Sequence, residues 1–160
     1  MMPLETTPDT IISKRRLDAP PDRVFRAWAD EEDRRQWDVP GDGWVVASFS
    51  LDFREDGIET SRFGPEGDPV AENFGRYLLI QRPQRIVSAG VMRSARTGEV
   101  SSTTMLTLQL EADGDGTQLT LIDQSVYLGA GETVDMREQG WTTILDKLAI
   151  HLSESRTAST

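Results

Sequence analysis

The chain has 160 residues, 28% charged and 37% hydrophobic, with a formal net charge of −10 and no cysteine. That length and composition suit one globular domain with a substantial core, and the lack of cysteine excludes disulfides and thiolate chemistry. The acidic balance argues against sequence-independent nucleic-acid binding and against docking on anionic membranes, since both need a basic face.

Residues 1–10 are polar and proline-bearing, and a disordered N-terminus is expected there. Residues 11–17 read as a first strand, with Ile12 and Leu17 as its inward anchors. Pro21 suits the first turn of a helix whose apolar face is Val24, Phe25 and Trp28. Asp30 can cap a second short helix, EEDRRQW, which presents Trp37 on its last turn before VPGDG breaks it. From Trp44 the period changes to two: Phe49, Leu51 and Phe53 alternate with Ser48, Ser50 and Asp52. Glu55-Asp56-Gly57 signals a hairpin, residues 58–63 return, and GPEGDPV is a loop. Strands follow at 72–81 and 85–94 around Arg82-Pro83-Gln84. Residues 101–112 place Thr104, Leu106, Leu108 and Leu110 on one face, DGDG turns the chain, and residues 117–128 pair back.

The last regular stretch reads as one helix of roughly 20 residues starting near Glu132, about 30 Å long. Trp141, Ile144, Leu145, Leu148 and Leu152 form one apolar stripe, while Asp146 and Lys147 face solvent. Gly140 inside that helix costs about 1 kcal/mol against alanine, so a close approach to its backbone or room for a ligand is expected there. Residues 154–160 are expected to be a disordered tail, leaving a single domain over 11–153. The order is strand, two short helices, about six strands in meander, long helix. Short turns favour antiparallel pairing, and a sheet with one apolar face needs a cover, which only the terminal helix is long enough to supply.

That order, together with the strings APPDRVFRAWADEEDRRQW, DFREDG, GRYLLIQRPQRIV, GTQLTLIDQS and GWTTILDKLAIHL, resembles the START-like (SRPBCC) superfamily. Within it, the chain is similar to the family of homologues of the heat-shock protein 90 ATPase activator, over residues 11–152. The resemblance implies an α+β helix-grip fold: a curved antiparallel sheet wrapped around a long C-terminal helix, often enclosing an apolar cavity. Two departures stand out. Asp38 takes the place of a second tryptophan after Trp37, and Asp56-Gly57 takes the place of Gly-Gly.

No residue cluster identifies a reaction. There is no cysteine, no G-x-S-x-G, and one histidine, His151, near the end of the long helix, where an end-of-helix cation is the ordinary role. Asp113 and Asp115 lack the rest of a calcium loop, so no metal site and no cofactor are expected. Glu132, Asp135 and Glu138 suit the first turns of a helix through its dipole. Of Asp123 and Gln124, one must face the apolar side of the sheet unless a bulge intervenes. Pairing with Arg76 or Arg93 is the plain account, and acid–base chemistry by a buried carboxylate the sharper one.

The large side chains Trp37, Trp44, Phe53, Phe63, Phe74, Tyr77, Met92, Met105, Tyr127 and Trp141 divide between core and cavity wall. The expected ligand-binding set is Trp37, Phe53, Phe63, Tyr77, Met92, Tyr127, Trp141 and Leu145, with Trp37, Phe63 and Trp141 converging on the mouth and no catalytic residue assigned. The expected function is a binding module for a small apolar or aromatic molecule, more in keeping with a non-enzyme than an enzyme. A cyclase- or hydrolase-like activity in the same cavity, with Asp123 or a tyrosine as acid or base, is one alternative. A chaperone-activator-like interaction with a protein partner is another. Neither nucleic acid nor membrane is an expected partner. No apolar run approaches about 18 residues, MMPLETTPDT lacks the features of a secretory signal, and a cytoplasmic location follows as the default.

Overall fold

The alternating and helical periods of the sequence resolve into seven strands and three helices in the computed structural model, which describes residues 6–129 and 131–158. The strands are β1 (Thr7–Leu17), β2 (Val45–Leu51), β3 (Ile58–Gly64), β4 (Ala71–Gln81), β5 (Arg85–Ser94), β6 (Val100–Asp113) and β7 (Gly116–Tyr127). The helices are α1 (Pro21–Ala29), α2 (Glu31–Trp37) and α3 (Val134–Ala158). Pro21 occupies the first turn of α1, and the Asp30 carboxylate caps α2 by accepting from the Asp33 amide at 3.1 Å. β1 begins within the 1–10 stretch and α3 continues into 154–160, both expected to be disordered; residues 1–5 and 159–160 lie outside the described ones.

All strands pair antiparallel in the order β1-β7-β6-β5-β4-β3-β2. The sheet is curved and unclosed, with the first two strands at its edges. This is the helix-grip α+β architecture. The inward set of β1 differs from the expected one in a single residue. Ile11 lies opposite the buried Asp123 and is 7% exposed, whereas Ile12 lies opposite Ile122 and is 62% exposed. Leu17 and Ile11 are an even number of residues apart and share a face, while Ile12 falls an odd number away and must point out. The same alternation carries Phe74 and Met105 to the outer face, at 42% and 44% exposure.

One core holds Leu119 and Leu121 of β7, Leu108 and Leu110 of β6, Val24 and Phe25 of α1, and Ile144, Leu145, Leu148 and Leu152 of α3. The cover is therefore shared between α1 and α3 rather than supplied by the terminal helix alone. At the middle of the sheet Gly75 lies opposite Gly90. A Cβ on Gly90 would overlap the Phe74 carbonyl and come within 2.8 Å of Gly75 Cα, so only glycine lets β4 and β5 pack this closely.

Several surface expectations change with the fold. Lys147 does not face solvent freely; its ammonium donates to the carbonyls of Val39 (3.1 Å) and Gly41 (2.7 Å), tying α3 to the loop after α2. His151 Nε2 sits 2.6 Å from Asp33, which also accepts from Arg23 at 2.9 Å, so this histidine joins α3 to α2 and α1. Asp113 and Asp115 are bound by Arg16 across the β6–β7 turn. Among the described residues, no helix is long and apolar enough to cross a membrane.

Candidate functional site

The core fills only part of the sheet's inner face. Over β3 to β6 the inward side chains become small or polar, as with Ser61, Asn73, Gly75, Ser88, Gly90 and Thr104, and a cavity of about 890 Å³ opens between them and α3. Its other walls are Trp28 of α1, Pro40 and Trp44 of the loop after α2, Phe53, and Met136, Trp141 and Ile144 of α3. The exposed Arg93, Arg96, Asp135 and Met136 form the rim. Trp44 and Phe63 pack with ring centroids 6.2 Å apart, and Phe53 meets Tyr77 edge-on at 4.9 Å. Gly140 is buried against Pro40, and a Cβ there would lie 3.1 Å from the proline Cβ, so close approach explains the helical glycine.

Two buried polar clusters stand in this wall. The first is centred on Arg34, 5% exposed. Its guanidinium donates to Asp38 Oδ2 at 2.6 and 2.9 Å, to Glu59 Oε2 at 2.6 Å, to the Trp28 carbonyl at 3.1 Å and to the Tyr77 hydroxyl at 3.3 Å. The rings of Trp28, Trp37 and Phe49 lie 5.2–5.7 Å from it. Burial pushes the Glu59 carboxyl above its ordinary range, against the pull of Arg34. Burial likewise raises the Tyr77 hydroxyl, which stays protonated at neutral pH.

The second cluster joins β6, β7 and the start of α3. Asp123 is fully buried and accepts from Trp141 Nε1 at 2.7 Å, from Arg137 Nη1 at 3.0 Å and from the Ser125 hydroxyl. Arg137 also donates to Glu132 at 2.7 Å and Thr104 at 3.0 Å, and the Ser101 and Ser102 hydroxyls donate to Glu132 at 2.6 and 2.8 Å. A carboxylate this dry is tolerable only with such a full set of donors. The partner of Asp123 is thus Arg137, not Arg76 or Arg93, both of which are exposed. Glu132 lies ahead of α3, and its role here is this hydrogen bonding rather than a meeting with the helix dipole.

The fold brings five of the eight expected ligand-binding residues to the cavity wall: Phe53, Phe63, Tyr77, Met92 and Trp141. Trp37, expected at the mouth, is instead 0% exposed and belongs to the core, 4.7 Å from Trp28 with its Nε1 on the Ala27 carbonyl at 3.2 Å. Leu145 is also core, and Tyr127 is buried beneath the Arg137 guanidinium, 5.7 Å from its ring centroid, with its hydroxyl pushed up to about 12 by burial. The place expected for Trp37 is taken by Trp44.

Arg34, Glu59 and Arg137 are missing from the expected set, although their spacing carried a signal. Arg34 lies three residues before Trp37, and Arg137 four before Trp141, each on the inward face of its helix. Glu59 shares the strand face of Phe63. Among the described residues, no group of three or more His, Asp or Glu side chains is placed to share a metal ion.

A family profile described as Activator of Hsp90 ATPase homolog 1-like protein matches residues 18–153. No curated protein matches. Among solved structures, an uncharacterised protein from Rhizobium leguminosarum is 30% identical with a TM-score of 0.85, over 96% of this chain and 99% of that one. The Mll3558 protein from Rhizobium loti is 35% identical with a TM-score of 0.80, over 92% and 99%. An AHSA1-like protein from Aeromonas hydrophila, 15% identical, shares the fold with a TM-score of 0.70 over 92% and 94%.

Proposed function

Because this chain belongs to the Activator of Hsp90 ATPase homolog 1-like family, built on a START-like fold, we propose that it is a binding module for a small, largely apolar or aromatic molecule held between the sheet and α3. The observation that carries this reading is the cavity of about 890 Å³ walled by Trp28, Trp44, Phe53, Phe63, Met92 and Trp141. It lies within the usual size of small-molecule sites, and its convergent polar groups have the character of such sites. The polar clusters support a binding role over a chemical one. Asp123, weighed as an acid or base, is 0% exposed and has its oxygens occupied by Trp141, Arg137 and Ser125. The Tyr77 hydroxyl is held by Arg34 and stays protonated at neutral pH.

Three of the four tryptophans line the cavity, so intrinsic fluorescence reports on it directly. A panel of neutral aromatic probes is expected to change that fluorescence saturably, with affinity in the micromolar to millimolar range, about −8 to −4 kcal/mol. Ser61→Phe, which places a ring inside the cavity, is expected to abolish the response while leaving the fold intact by circular dichroism. Absence of binding across the panel, or unchanged binding by a folded Ser61→Phe variant, would sink the reading. The outer sheet face, with Ile12, Phe74, Leu78 and Met105 exposed, would then make a protein partner the better account.

A further inference from the structure

The two polar clusters in the cavity wall carry the same imbalance of charge. Arg34 stands against both Asp38 and Glu59, and Arg137 stands against both Glu132 and Asp123. Each cluster therefore has one guanidinium for two carboxyl groups. All six side chains are largely withdrawn from water, the most exposed being Asp38 at 18%. The rim does not compensate, because Arg96 is paired with Asp68 and the exposed Arg93 and Asp135 cancel as single charges. Excess negative charge in a low-dielectric wall is costly unless a proton or a cation balances it. The upward push that burial gives the Glu59 carboxyl is one expression of that cost.

The remaining walls suit a cation. Aromatic faces attract positive charge, and Trp44, Phe63, Phe53 and Trp141 all line the same space. Glu59 lies opposite Gly75 across β3 and β4, so its cross-strand neighbour puts no side chain beside it. Tyr77, which joins Arg34 and Asp38 beside Glu59, is neutral at physiological pH and adds no charge to the cluster.

We propose that the cavity selects a ligand carrying an ammonium or similar cationic nitrogen on an aromatic or aliphatic body over neutral and anionic molecules of the same shape. This rests on the ligand-binding reading above and adds to it the sign of the ligand's charge.

Calorimetric titration of the whole chain at pH 7 with naphthylmethylamine, naphthylmethanol and naphthoate compares one ring system bearing a cation, a neutral group and an anion. The amine is expected to bind about tenfold more tightly than the alcohol, and the naphthoate most weakly. Glu59→Gln and Glu132→Gln each remove one carboxylate charge from a different cluster while keeping an acceptor oxygen. Each is expected to cut the amine's advantage over the alcohol about threefold or more. Because the variants lie in separate clusters, misfolding of one leaves the other decisive, and the selectivity of the unsubstituted chain stands by itself. If the alcohol or the naphthoate binds as tightly as the amine, the charge inference is overturned and the ligand-binding reading survives. If the amine is preferred but folded variants keep its full advantage, the buried carboxylates are not the cause and the inference falls. If none of the three binds, both readings fall together.

Discussion

Replacing Trp37 by alanine separates a core residue from a cavity residue more sharply than any other single change. Trp37 is 0% exposed, packs edge-on against Trp28 at 4.7 Å, and donates its indole N–H to the Ala27 carbonyl at 3.2 Å. That carbonyl belongs to the last turn of α1, where the helix supplies no donor of its own, so the side chain also closes a helix end. Its neighbour Arg34 closes the next carbonyl, that of Trp28, from the same face of α2. A buried tryptophan removes about 150–250 Å² from water, which at about 25 cal/mol per Å² gives an upper figure of about 4–6 kcal/mol. Core truncations of this size cost about 3–5 kcal/mol, and that range is expected for Trp37→Ala. Trp37→Phe keeps most of the ring but loses the N–H, and a smaller loss of about 1–2 kcal/mol is expected. Urea unfolding followed by far-ultraviolet circular dichroism measures both. A Trp37→Ala midpoint shift worth less than about 1 kcal/mol, with a marked loss of probe affinity, would place Trp37 in the ligand's path and refute the argument.

Trp141→Ala removes both a cavity wall and one of the three donors to buried Asp123, so a stability loss of about 3–5 kcal/mol is expected; Trp141→Phe should lose about 1–3 kcal/mol for the hydrogen bond withdrawn from that charged carboxylate. Exposed Glu138→Ala on the same helix should stay within about 0.5 kcal/mol, and equal small effects at all three in urea melts would mean α3 does not pack as described. For Asp33, burial opposes ionisation, but the bonds from His151 and Arg23 outweigh it and hold the carboxyl below its ordinary value of 3.8. A depressed folded value means that its stabilisation is fully present above 3.8 and fades as pH falls through the lowered value. Asp33→Asn should therefore lower the melting temperature at pH 7 and narrow its gap to the parent in strongly acidic buffer; a gap independent of pH would contradict this linkage. Gly90→Ala should destabilise by about 3 kcal/mol or more, because a Cβ meets the Phe74 carbonyl and the neighbouring strand rather than open space; near-parental urea stability would show that β4 and β5 can separate without cost.

Much of the architecture was legible from local pattern. The period-two run of Thr104, Leu106, Leu108 and Leu110, the turn at DGDG and the stripe from Trp141 to Leu152 each encode one element and its buried face, because backbone geometry ties side-chain direction to spacing. The same rule, applied strictly, selects Ile11 over Ile12 and turns Glu59 inward with Phe63.

Which buried faces would meet, and where they would leave space, was decided by the tertiary structure. Trp37 and Trp44 are similar in sequence, each an aromatic beside the VPGDG break. Only the packing of α2 on α1 makes the first core and leaves the second beside Phe63 at the cavity. Asp123 could be read as destined for the inner face, but its partner Arg137 comes from α3, and no strand register or helix period relates the two. Pairing energies depend on distance and on the dryness of the site, both properties of the folded surface rather than of neighbours in the chain. For that reason the chain's local pattern determined seven strands and a gripping helix, while the cavity and its two acid-rich clusters exist only where the curved sheet and α3 fail to fill the space between them.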